Sequence, residues 1–113
     1  MNVTNSTFSG NSATSIGGSI YSDGGAVTLR NTIVANSGGG NCSGTITNGG
    51  NNIDDGTTCG WGSTSGSMSS TNPNLGALTG SPQYFPLNTG SAAIDAGDNT
   101  VCAAAPVNNT SQN

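Results

Sequence analysis

"TLRNTIVANS", residues 28–37, repeats the layout of "NVTNSTFSGNSA", residues 2–13, with Leu29 and Asn31 standing where Val3 and Asn5 stood. A third copy can be laid beside them, Ile46-Thr47-Asn48, at offsets of 26 and then 17 residues. In each copy an apolar residue is followed two positions later by Asn. Alternate residues of a strand face opposite sides, so Val3, Leu29 and Ile46 are expected to share one inward column. Asn at a bend can stack on the Asn of the neighbouring strand level, roughly 4.8 Å away, as an amide ladder. Further strand candidates are Ser19-Ile20-Tyr21, Ala26–Leu29 and Thr32–Ala35. They are separated by Gly17-Gly18, Gly24-Gly25, Gly38-Gly39-Gly40 and Gly49-Gly50. Short strands, Gly and Asn corners and a period near 20 residues predict an all-β chain built as a parallel β-helix, a solenoid of stacked rungs. The rungs are expected over residues 1–56. Residues 57–113 hold all four prolines and no clear rung, and read as an irregular cap on the last one, with strand pieces at 76–78 and 92–95.

Composition narrows the function more than it defines it. The 113 residues suffice for one domain and include 19 Gly, one Arg, five Asp, and no Lys, Glu or His. Amphipathic helices are disfavoured because their usual formers are missing. The net charge of −4 comes without a basic patch, which argues against nucleic acid and anionic lipid as partners. No apolar run reaches the roughly 18 residues that span a bilayer. Met1 leads directly into a repeat rather than a signal peptide, as expected either of a mature chain excised from a longer precursor or, the favoured reading, of a fragment.

Cys42 and Cys59 bracket one repeat, and a disulfide between them would clip the Ile46 segment to the next loop. Such a loop is worth about 3 kcal/mol in chain-entropy terms and implies an oxidising, extracytoplasmic compartment. Cys102 is then the odd cysteine. A zinc site is disfavoured, since there is no His and no Cys-x-x-Cys.

Candidate sites are few. Asp54-Asp55 and the pair Asp95 and Asp98 are the carboxylate groupings, and two-carboxylate hydrolysis would need such a pair in a cleft. As "IDDG" and "DAGD" they read better as turn formers. "GGNNIDDG", residues 49–56, offers hard oxygen ligands, so calcium is the one cofactor worth weighing against none. Trp61, Tyr21, Tyr84 and Phe85 could stack on sugar rings, although a Trp beside a Cys more often covers a small core. Asn2, Asn5, Asn41, Asn108 and Asn109 begin Asn-x-Ser/Thr sequons, several of which are expected by chance in this composition.

In order, "LRNTIVANS" (29–37), "NCSGTITNGGNNID" (41–54), "NPNLGAL" (72–78) and "GSAAIDAGD" (90–98) resemble the C-terminal region of large bacterial cell-surface proteins. These are the choice-of-anchor Q domain proteins, akin to polymorphic outer-membrane-type parallel β-helices. The resemblance implies a right-handed helix, secretion to the cell surface and no catalytic residues. It also implies a Cys102 partner in a segment beyond Asn113, the alternative being a cysteine of another molecule. The expected function is a non-enzymatic extracellular structural module that self-associates end to end, with filaments as one form. A carbohydrate-binding or adhesive module is the alternative. A polysaccharide lyase or hydrolase is disfavoured, because Arg30 stands alone.

Overall fold

Each copy of the repeat folds as two short strands hinged at an Asn. The computed structural model describes residues 1–105; the sequons at Asn108 and Asn109 lie outside the described residues. β1 (Asn2–Thr4) turns into β2 (Thr7–Ser9), β3 (Ile20–Arg30) into β4 (Ile33–Ala35), and β5 (Cys42–Asn48) into β6 (Ile53–Asp54). β1, β3 and β5 form one parallel sheet in that order, and β2, β4 and β6 a second. At the three hinges Asn5, Asn31 and Asn51 hold φ at 49°, 49° and 55°. Asn accepts this left-handed conformation because its short amide bonds locally.

The first two copies align in space as they do in sequence: Val3 lies opposite Leu29 and Phe8 opposite Val34. The third does not. Ile46 pairs with Val27, while Asn48 takes the place opposite Leu29, so Ile46 does not join the Val3–Leu29 column. Gly49 and Gly50 are the cause. They lengthen the corner, leaving Asn48 in the strand and passing the left-handed turn to Asn51. Gly49 is tightly required, because a Cβ there would lie 2.6 Å from the Leu29 carbonyl oxygen.

The core is small. Val27 and Leu29 from one sheet meet Val34 from the other, with Ile20, Trp61 and the Cys42–Cys59 disulfide closing the cluster. Polar groups fill the rest of the interior. Asn52 is fully buried and fully bonded: its amide donates to the Leu29 carbonyl (2.8 Å) and Asn48 Oδ1 (3.1 Å) and accepts from the Thr32 N–H (3.0 Å).

The all-β expectation matches the two sheets, but the right-handed parallel β-helix does not describe this chain. Each sheet stops at three strands, and the molecule closes into a compact unit of 38 × 27 × 26 Å. Its radius of gyration, 13.4 Å, is that of a globular domain of about 100 residues, near 13 Å. The physical reason lies after Asp54. Met68 adds a single parallel bridge to Ile53, and the chain then returns along the flank of the sheets instead of adding another level. The strand pieces expected at 76–78 and 92–95 are absent; isolated antiparallel bridges join Leu75 to Leu87 and Thr79 to Tyr84. The flank ends in a five-residue helix, α1 (Asn99–Ala103), capped by Asp98.

Candidate functional site

The returning segment docks on the hinge asparagines. Asn31 Nδ2 donates to Asn5 Oδ1 (3.1 Å) and to the Asp98 carbonyl (3.1 Å), and Asn31 Oδ1 accepts from the Asp98 N–H (2.9 Å). One level further on, Asn51 Nδ2 donates to the Ala96 carbonyl (2.9 Å). The column thus binds the backbone of "DAGD" through side chains 45 to 67 residues away in sequence. Only the Asn5–Asn31 step is an amide ladder of the expected kind.

Between this segment and the outer face of β2 and β4 lies a groove of about 380 Å³. Thr7 and Ile33, opposite each other in register, line its floor, with Phe85 and Ile94 as apolar contributors and Asn5, Asp95 and Cys102 as polar ones. Cys102 is buried, with its Sγ 3.6 Å from Asn31 Nδ2 and 3.9 Å from Asn5 Oδ1. It is a free thiol, whereas Cys42 and Cys59 are joined, with their Cα atoms 4.8 Å apart.

Asp98 caps α1, the helix that carries Cys102 to the groove. Its carboxylate accepts from the Thr100 hydroxyl (2.7 Å) and backbone N–H (2.8 Å), and these bonds hold its pKa below the ordinary carboxylate value. A depressed folded pKa means the cap contributes above the unfolded pKa, near 3.8, and is lost as pH falls through the lower folded value. Asp98→Ala should therefore loosen α1 at neutral pH and raise the rate at which a disulfide reagent labels Cys102. The wild-type rate, corrected for thiolate fraction, should rise only at acid pH. Equal labelling of wild type and variant would show that the cap does not guard the thiol.

Asp54, at the end of β6, and Asp55, in the bend after it, are tied to backbone donors. Asp54 is fully buried and accepts from the backbone N–H groups of Gly56 and Cys59, both at 2.9 Å. Asp55 accepts from the Asn36 N–H (2.8 Å). Both also face the amide of Asn41, which is 3% exposed, so the Asn41 sequon is buried in the folded chain. Asp95 lines the groove while Asp98 caps α1, so the two serve different places.

The aromatic residues do not assemble into a platform. Trp61 is 5% exposed and belongs to the core, which removes it as a glycan contact. Tyr21 and Tyr84 are exposed, Tyr21 on β3 and Tyr84 in the Thr79 bridge, with its ring over Gly80.

The two ends of the second sheet differ, whereas in the first sheet neither β1 nor β5 has an outer strand beside it among the described residues. At the β5/β6 end, the Asn51 N–H donates to the Ser65 carbonyl, the Asp54 N–H to the Met68 carbonyl, and the Met68 N–H to the Asn52 carbonyl. At the β1/β2 end no described strand follows. Parallel pairing uses alternate residues, and Met1, Asn5, Ser6 and Gly10 are bonded inward, so the N–H and C=O groups of Asn2, Thr4, Thr7 and Ser9 point away from the sheet. Sequence reasoning placed open edges at a rung end without telling which end; the Met68 pairing, one bridge from a Ser-rich loop, carries no signal in the sequence. No family model, curated protein or solved structure matches the chain.

Proposed function

We propose that the chain is a non-enzymatic structural module of an extracellular bacterial surface protein, and that it associates with further copies through the open β1/β2 edge. The observation that carries this reading is the asymmetry of the second sheet: β6 is paired through Met68, while the outward N–H and C=O groups of β2 meet no described strand. An unpaired edge is a template for another strand. The Cys42–Cys59 disulfide supports an oxidising setting. The placement of Asp54 and Asp55 as turn-bonded groups supports a structural rather than a hydrolytic use for them.

Light scattering on a size-exclusion column, with negative-stain microscopy, tests the reading. Wild-type chain is expected to associate with rising concentration. Thr4→Pro should remain folded and monomeric, because an edge strand tolerates Pro where its N–H faces outward. A wild type that stays monomeric at every concentration defeats self-association. A second reading, polysaccharide binding, now rests on the groove lined by Asn5, Asn31, Asp95 and Phe85. Glycan-array binding by the monomer would favour it.

A further inference from the structure

The groove between the returning segment and the outer face of β2 and β4 holds a carboxylate that the fold does not use. Asp95 lines it, is exposed, and keeps φ at 57°. The asparagines held at positive φ, Asn5, Asn31, Asn36, Asn51 and Asn74, all take part in side-chain hydrogen bonds to other segments. Asp54, Asp55 and Asp98 each accept backbone N–H groups. Asp95 does neither: among the described residues its carboxylate has no hydrogen-bond partner. A left-handed position asks for no more than glycine or asparagine, so the turn itself does not require an acid. No cationic side chain lines the groove, and Arg30, the only one in the chain, bonds the Gly49 carbonyl at another corner. Beside Asp95, Ile94 and Leu87 expose apolar surface and half-buried Phe85 joins them. Asn5 Nδ2 and the Thr7 hydroxyl belong to the same groove and have no partner among the described residues. At about 380 Å³ its size falls in the range of small-ligand sites, about 300–1,000 Å³.

We propose that this groove binds an amine-bearing sugar unit of a polysaccharide, whose ammonium pairs with Asp95 while its ring lies against Phe85 and Ile94. The inference rests on the polysaccharide reading of the groove and adds the charge of the sugar. A sugar ring has an apolar face of C–H groups and a rim of hydroxyls. The face matches the apolar wall, and the rim matches the free polar groups of Asn5 and Thr7. Seating the ring displaces water from the carboxylate, and an ion pair strengthens as the local dielectric falls. The ammonium–carboxylate contact is also a charge-assisted hydrogen bond. Uronic acids and sulfated sugars are disfavoured by the same carboxylate and by the net charge of −4, which no basic patch offsets. An N-acetylated sugar carries an amide in place of the ammonium and gives up the ion pair. A lysine side chain would satisfy Asp95 but has no ring to cover Phe85 and Ile94.

Titration calorimetry with a glucosamine tetramer, set against its N-acetylated counterpart at mildly acidic pH where the sugar amine is protonated, tests the site. The amine form is expected to bind more tightly and to weaken as salt is added. Asp95→Asn places a residue at ease with positive φ, so its circular dichroism should be unchanged. Its affinity for the amine form should fall about tenfold, the lower end for a hydrogen bond to a charged group. The bound tetramer should also slow labelling of Cys102 by a pyridyl disulfide, because Cys102 lines the same groove. Unslowed labelling would put the sugar elsewhere and overturn the assignment. Tighter binding of the acetylated tetramer, or undiminished affinity in folded Asp95→Asn, would overturn the amine preference and leave the polysaccharide reading standing. A lysine tetrapeptide that binds as tightly as the amine sugar would overturn it too, since charge alone would then be read. Binding of neither tetramer overturns the proposal; neutral glycans retained on an array would still keep the broader reading, and an empty array would end both.

Discussion

Asn52→Leu is expected to destabilise the chain by about 3–5 kcal/mol, although leucine shares the branched outline of the side chain and the position is fully buried. The Thr32 N–H, which donates to Asn52 Oδ1, would be left unpaired in the interior at a cost of about 1–3 kcal/mol. The bonds to the Leu29 carbonyl and Asn48 Oδ1 would go as well, at about 1 kcal/mol each. A domain of this size is stable by only about 5–15 kcal/mol, so the variant should show a much lower urea midpoint, or no folded baseline. The expectation inverts the usual rule for cores, in which a more apolar residue helps. If Asn52→Leu unfolds at the wild-type midpoint, the buried amide is not what ties the hinge of β5 and β6 to Leu29 and Thr32.

The second large effect concerns the disulfide. Cys42 and Cys59 are separated by 17 residues, and opening that loop should cost about 3 kcal/mol, the chain-entropy value for a loop of about this length. The loop matters more here than in a chain with a thick core. Both cysteines are buried beside Trp61, and the same loop leads into the segment that pairs with β6 through Met68. The double variant Cys42→Ser, Cys59→Ser should lose several degrees to tens of degrees of Tm, with a red-shifted Trp61 emission as the indole meets water. Reduction of the wild type should move it the same way. An unchanged Tm on reduction would remove the argument for an oxidising compartment, because the bond would then contribute nothing to folding.

How much of this was legible can be judged residue by residue. Val3 over Leu29 was visible because the 26-residue repeat keeps its spacing, and parallel pairing preserves that spacing in space. Ile46 was placed one strand step wrong because Asn48 imitates a hinge Asn while two glycines postpone the real turn to Asn51. Periodicity sees residue types and cannot see which of two neighbouring asparagines adopts positive φ. β2 went unnoticed, since "TFS" is too short to carry a pattern. The disulfide followed from spacing, and the buried Trp61 from its neighbour Cys59. The docking of "DAGD" on Asn31 and Asn51 was beyond reach, because nothing local links residues 67 apart. The solenoid expectation failed for the same reason: a repeat fixes how neighbouring strands pair, and the return of the chain along their flank decides where pairing stops. Asn41 was taken for a sequon; its burial between two carboxylates emerges only when three corners come together.

The unlike ends of the two sheets set the arithmetic of any assembly. A unit that both offers and receives an edge can serve as a link, and links make chains of indefinite length. Here Met68 already occupies the outer edge of β6, whereas β5 keeps an outer edge with no described strand beside it. Two units meeting through β1 and β2, related by a two-fold axis, would therefore still carry β5 as an edge on which a further copy can add. In a longer array Met68 would end the second sheet and leave the first alone to continue.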